Sequence, residues 1–192
     1  MKYKDVVIDP AYRYPLYYPV RRFIQTGDLM EWSTDDNFAA WSIRKKTKKD
    51  VNHSAMFVRS KIPGHRDRIF IIEAVSHGVV SSVFTHRLNM HKGKVWWYPL
   101  DPAKVPMQKR YDMLYWTLTQ VGSRKGYDFE DLLKQLTESV ALNYNKFFCS
   151  ELYHAGLIEA GIIPTEWEYP ARRPGEFAEL GVHKERVLIY EA

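Results

Sequence analysis

Residues 53–75 read HSAMFVRSKIPGHRDRIFIIEAV, two apolar runs on either side of a Pro63-Gly64 turn signal. Each run is rich in Val, Ile and Phe and alternates in steps of two, as a half-buried strand does. His53 to Arg59 and Arg68 to Val75 are therefore expected to form an antiparallel hairpin. A hairpin centred on Pro63 sets His53 opposite Glu73, on the same face with Cβ atoms about 5 Å apart. One centred between Pro63 and Gly64 sets His53 opposite Ala74 instead, and the length of the loop leaves both registers open. Glu73 interrupts an otherwise apolar face made by Ile69, Ile71 and Val75. A carboxylate there needs a partner to offset its desolvation.

Working outward, a turn at Gly27-Asp28 leads into a short strand, Leu29 to Trp32, and residues 36–46 are expected to be helical. Upstream, residues 3–19 carry Pro10, Pro15 and Pro19 among five tyrosines, which suggests that residues 1–25 are an extended arm packed by its rings onto the body. Downstream, Val79 to Phe84 and Lys94 to Leu100 read as strands. After Pro102 the period becomes helical, with Met107, Tyr111, Leu114, Leu118 and Val121 marking the expected buried face and Gly122 the stop. A second helix is expected from Asp128, a third from about Phe147 to Ala160, and a last strand at Val187 to Tyr190. Strands followed by helices make an α+β fold with an antiparallel sheet, in one domain spanning 1–192.

Composition narrows the classes. Of 192 residues 45% are apolar and 15% aromatic, enough for a core and far from a disordered chain. One cysteine closes no intrachain disulfide, and no Cys/His cluster has zinc-finger spacing. No apolar run reaches the roughly 20 residues of a membrane span, and residues 1–19 lack the apolar core of an export signal, so the expectation is a cytoplasmic protein without an integral span.

The lone cysteine opens the question of chemistry. Cys149 lies at the start of the third helix, where unpaired N–H groups and the helix dipole favour a thiolate; its apolar setting, Phe147-Phe148-Cys149, is equally that of a small core residue. A nucleophile needs a base, and an imidazole oriented by Glu73 through one ring nitrogen would present the other to a thiol. Other candidates are weaker. Glu151-x-x-His154 is half of a di-iron helix motif with no second copy, Gly122 to Gly126 lacks the ending of a phosphate loop, and Ser150 has no Gly-x-Ser-x-Gly turn.

Taken in order, Gly27-Asp28-Leu29, His53-Ser54-Ala55-Met56-Phe57-Val58, Ile71-Ile72-Glu73-Ala74, Gly126-Tyr127-Asp128-Phe129 and Phe148-Cys149-Ser150-Glu151-Leu152 resemble the circularly permuted branch of the NlpC-type papain-like cysteine hydrolases, the YiiX-like and YebB-like group. The resemblance covers roughly residues 26–160. It implies a papain-like fold with the cysteine-bearing helix after the sheet, Cys149 as nucleophile, His53 as general base, Glu73 as its orienter, and the Cys149 N–H as an oxyanion donor. Asp28 and Tyr127 match motif positions and are expected at the substrate site, with a structural duty as the alternative: Asp28 holding the turn, Tyr127 lining the cleft. Met56-Phe57 and Tyr153 are bulkier than the family's usual residues and are expected to narrow the cleft.

The implied activity is hydrolysis or acyl transfer on an amide, ester or thioester, with a peptide or lipid acyl group as substrate, and no metal or organic cofactor. Arg44 to Lys49 places five cations in six residues just before His53. Lys45 and Lys46 are therefore expected near the cleft mouth, where they would attract an anionic substrate, a phospholipid surface or nucleic acid; a solvated loop is the plainer alternative. A net charge of +5 is modest for a dedicated nucleic-acid binder. The competing function is a catalytically silent papain-like module that holds an anionic partner through this patch.

Overall fold

The computed structural model describes residues 13–34, 44–45, 47–61, 67–122, 148–168 and 170–192. Its centre is a six-stranded antiparallel sheet: β1 (Leu29–Ser33), β2 (His53–Ser60), β3 (Arg68–Val75), β4 (Gly78–Val83), β5 (Lys94–Tyr98) and β6 (Val187–Glu191), in spatial order β4-β3-β2-β1-β5-β6. All six strands lie where the alternating pattern places them, within two residues at each end. Four helices among the described residues accompany them: α1 (Tyr17–Val20), α2 (Phe84–Asn89), α3 (Met107–Gln120) and α4 (Cys149–Glu159).

The sheet is buried on both sides. One face carries Leu29, Met56, Ile72, Trp96 and Tyr98, which join residues of α3 and α4 in one core. The other carries Met30, Phe57, Ile71, Val95 and Trp97, covered by the N-terminal segment and α2. The side chains of α4 from Cys149 to Ile158 are all buried, so this helix is embedded against the sheet. Gly156 lets α4 approach α3 closely, since a Cβ there would meet Met113 Cε at 3.2 Å.

Three expectations need correction. First, residues 14–23 do pack by their rings, with Tyr14 and Tyr17 buried and Tyr17 edge-on to Phe84 at 4.9 Å, but Tyr17–Val20 is helical and Arg21–Phe23 a 3-10 turn rather than an extended arm. Pro19 is tolerated because the first N–H groups of a helix have no internal acceptor. Second, α3 buries Arg110, Met113 and Thr117, while Met107, Tyr111 and Leu118 are exposed. The helix turns its polar Arg110 inward because that guanidinium has partners there. Third, the hairpin pairs Met56 with Ile72 and Phe57 with Ile71, which centres it on Gly64. His53 thus stands one pair beyond the expected register, diagonal to Glu73 but on the same face, because a two-residue shift preserves the side of the sheet. The expected helix at 128 and most of that at 36–46 lie outside the described residues.

Candidate active site

β1 is the central organiser of the site, because it pairs Trp32 with His53 on one side and Val95 on the other. Trp32 and His53 stack face to face, ring centroids 4.5 Å apart and planes 11° from parallel. The imidazole Nε2–H donates to Glu73 Oε2 at 2.8 Å. Glu73 is 1% exposed and His53 12% exposed, so the bond sits largely out of water. Arg87 of α2 donates its Nε–H to the other oxygen of Glu73 at 2.9 Å, and its guanidinium lies 4.4 Å over the Trp32 ring.

Cys149, 8% exposed, opens α4 on the other side of His53 and lies within hydrogen-bonding reach of the imidazole. With Nε2 committed to Glu73, Nδ1 is the nitrogen left for the sulfur. Burial alone would push the imidazole's pKa down. The charge and hydrogen bond of Cys149, with those of Glu73, outweigh it and lift His53 to about 10. Burial likewise opposes ionisation of Glu73, but His53 and Arg87 together hold its carboxyl below the usual range. Glu151 secures the start of α4 by accepting the Phe148 N–H at 3.0 Å.

Sequence reasoning singled out Cys149, His53 and Glu73, and the fold brings the three together. The expected substrate-site residues are distributed differently. Asp28 is sealed in the interior, where its carboxylate accepts from Gln25 N–H, Trp97 Nε1–H, the Leu100 N–H and Arg110 Nη1–H at 2.7 to 3.0 Å. Every lone pair it could offer a substrate is taken, so it clamps the Gly27 turn to β5 and α3. Tyr127 and Lys46 lie outside the described residues. Lys45 is exposed, whereas Lys49 of the same run pairs with Glu179 at 2.9 Å. Met56, Phe57 and Tyr153, expected to narrow the cleft, are core residues; the Tyr153 hydroxyl donates to the Gly27 carbonyl at 2.9 Å.

Three residues of the neighbourhood escaped the sequence reading. Trp32 and Arg87 become visible only once β1 is known to lie beside β2 and α2 to follow β4. The third, Glu31, faces the α4 side of the sheet and is 0% exposed. Its Oε1 accepts from Ser54 Oγ–H at 3.2 Å and from the Gly175 N–H at 2.7 Å. Burial drives its pKa up to about 7, against the opposing hydrogen bonds of Gly175, Tyr98 and Ser54. A Glu between Met30 and Trp32 in a five-residue strand was the available signal.

A six-stranded antiparallel sheet with a cysteine-bearing helix laid on one face, and a His-Glu pair at the strand ends, defines the molecule's class as an α+β protein with a buried thiol site. Among solved structures it is similar to that of the metalloprotein yiiX from Escherichia coli O157:H7: the TM-score is 0.55 at 18% identity, over 86% of this chain and 88% of that one. The likeness is one of fold. Neither a protein-family model nor a curated protein matches the chain. The neighbour's name raises the question of a metal. Among the described residues no three His, Cys, Asp or Glu side chains are grouped so as to hold one, and the Glu151–His154 pair is divided between a helix cap and the Arg172 N–H, which donates to His154 Nδ1. Likewise, no helix of the described residues is long and apolar enough to cross a membrane.

Proposed function

We propose that the protein is a cysteine hydrolase or acyltransferase of the permuted papain-like kind, acting on an amide, ester or thioester with Cys149 as nucleophile, His53 as acid and base, and Glu73 as the orienting carboxylate. The observation that carries the reading is the buried 2.8 Å bond from His53 to Glu73 beside a cysteine at a helix start. In the reaction, the Cys149 thiol gives its proton to His53 and Sγ bonds to the substrate carbonyl carbon while the negative charge gathers on the carbonyl oxygen, where N–H groups of the first turn of α4 supply stabilisation. The bond to the leaving nitrogen, oxygen or sulfur then breaks, and that atom takes the proton from the His53 imidazolium. Water attacks the resulting thioester, His53 accepts its proton, and release of the carboxylic acid restores the cysteine. An acyl-enzyme of this kind forms from peptide and lipid acyl compounds alike, so these are the classes to test.

Iodoacetamide near neutral pH should alkylate Cys149 in the native protein, and the rate should fall at least about tenfold in His53→Ala. A p-nitrophenyl acyl ester should give a burst of nitrophenolate equal to the enzyme concentration, absent in Cys149→Ser. A Cys149 that stays inert in the folded protein, or reacts equally fast without His53, would overturn the reading.

A further inference from the structure

The imidazole is held by more than a triad. Starting from His53, one contact runs to Glu73 Oε2 at 2.8 Å; from Glu73 Oε1 the next runs to Arg87 Nε at 2.9 Å. The Arg87 guanidinium then lies 4.4 Å over Trp32, and Trp32 stacks on His53 at 4.5 Å. The four side chains close a ring drawn from β1, β2, β3 and α2, in which Arg87 touches both groups that touch the imidazole and does not itself reach the sulfur side. Cation and ring attract through the aromatic face, so Arg87 fixes the plane of Trp32 as well as the carboxylate.

We propose that Arg87 is a positioning residue for His53: it pins Glu73 and Trp32 against the imidazole and shares the carboxylate's negative charge, so that the imidazolium is held in one orientation yet still gives up its proton.

The physics is a competition for one carboxylate. If His53 were the sole cation at Glu73, the full carboxylate charge would hold the imidazolium and make it a poor acid toward a leaving group. A second cation at the other oxygen divides that charge. Among the described residues, the titratable and charged groups facing the ring are Cys149 from α4, Glu73 from β3, Arg87 from α2 and His91 just beyond α2, whose ring lies 5.2 Å from that of Trp32. Arg87 is the one whose charge can be removed with least damage, being 28% exposed on a short surface helix.

Substitution Arg87→Gln supplies an N–H donor to Glu73 without the charge, and Arg87→Lys supplies the charge without the planar fork. The inference rests on the cysteine-hydrolase reading for its catalytic consequence, so its primary test is independent of catalysis. In a Cys149→Ala background, the His53 Cε1–H resonance is titrated by NMR with Arg, Gln or Lys at position 87. Gln should raise the His53 pKa by about 1, the order expected for removing one nearby charge, and Lys should restore it to within about 0.3. An unchanged or lowered value in Arg87→Gln, or a Lys variant that behaves like Gln, would overturn the proposal. With the cysteine present, the alkaline limb of ester hydrolysis should move up by the same amount in Arg87→Gln. Failure of Cys149 to react at all would remove the hydrolase reading while leaving the NMR result to decide the role of Arg87.

Discussion

Replacing Glu31 by glutamine should stabilise the protein, increasingly so as pH rises. Glu31 is fully buried, with no cation in contact among the described residues, and its carboxyl titrates at about 7 instead of the ordinary 4.5. The folded state therefore holds this proton more tightly than the unfolded chain does. The stability it contributes is complete below the unfolded pKa of 4.5 and is lost as pH rises through 7. A tenfold change in proton affinity is worth about 1.4 kcal/mol, so relative to a side chain that never ionises Glu31 lowers folding stability by about 3 kcal/mol at pH 8 and about 1 kcal/mol at pH 5. Glutamine keeps the acceptor that Ser54 and Gly175 use and carries no charge. The stability gap between Glu31→Gln and wild type should accordingly widen by about 2 kcal/mol between pH 5 and pH 8, or roughly 4–8 °C in Tm for a chain of this size. Other buried groups also titrate in this range: His154 and His183, both pushed down to about 4 chiefly by burial, remove stability as pH falls below about 6.5. They act equally on both proteins, so the difference isolates Glu31. Urea melts of the two proteins at both pH values make the comparison. A gap that stays constant or narrows toward pH 8 would refute the reasoning.

The other expectations concern architecture. Asp28→Asn should cost about 3–5 kcal/mol in denaturant melts, because it leaves the buried Arg110 cation unpaired and sets an amide against four donors. On α3, Met113→Ala should cost about 2–5 kcal/mol while Tyr115→Ala stays within about 0.5 kcal/mol, which tests the orientation of the helix directly. Gly93→Ala should destabilise by at least about 3 kcal/mol, visible as a large loss of Tm, since Gly93 has φ +124° and a Cβ there would stand 2.2 Å from the Ser33 carbonyl oxygen, which the sheet holds in place.

Strand positions were legible in the sequence because a period of two is a strong local signal, as in Arg68–Val75, whose boundaries match the expectation. α2 was not, because six residues, FTHRLN, are too few to display a helical repeat and they follow a strand without a break. The phase of α3 departs from its pattern for a different reason. Hydrophobic spacing counts Tyr111 and Leu118 as buried, whereas the decisive residue is Arg110, whose guanidinium bonds Asp28, Thr26 and Leu100 and draws its own face of the helix inward. Such an anchor is a long-range fact that no local window contains. The same distinction divides the site. Cys149, His53 and Glu73 stand out by residue type in apolar surroundings, while Trp32 and Arg87 matter only through strand order and a helix the sequence does not announce.

That order in the chain has a consequence for biosynthesis. The ring of side chains that holds the imidazole lies between residues 32 and 87, whereas the thiol arrives at residue 149 and the edge strand β6 at 187–191. A growing polypeptide therefore leaves the ribosome with its Trp32, His53, Glu73 and Arg87 side chains already out and its one thiol still to come. Cys149 emerges when five of the six strands have been synthesised, and the sheet gains its last edge only at the end of the described residues.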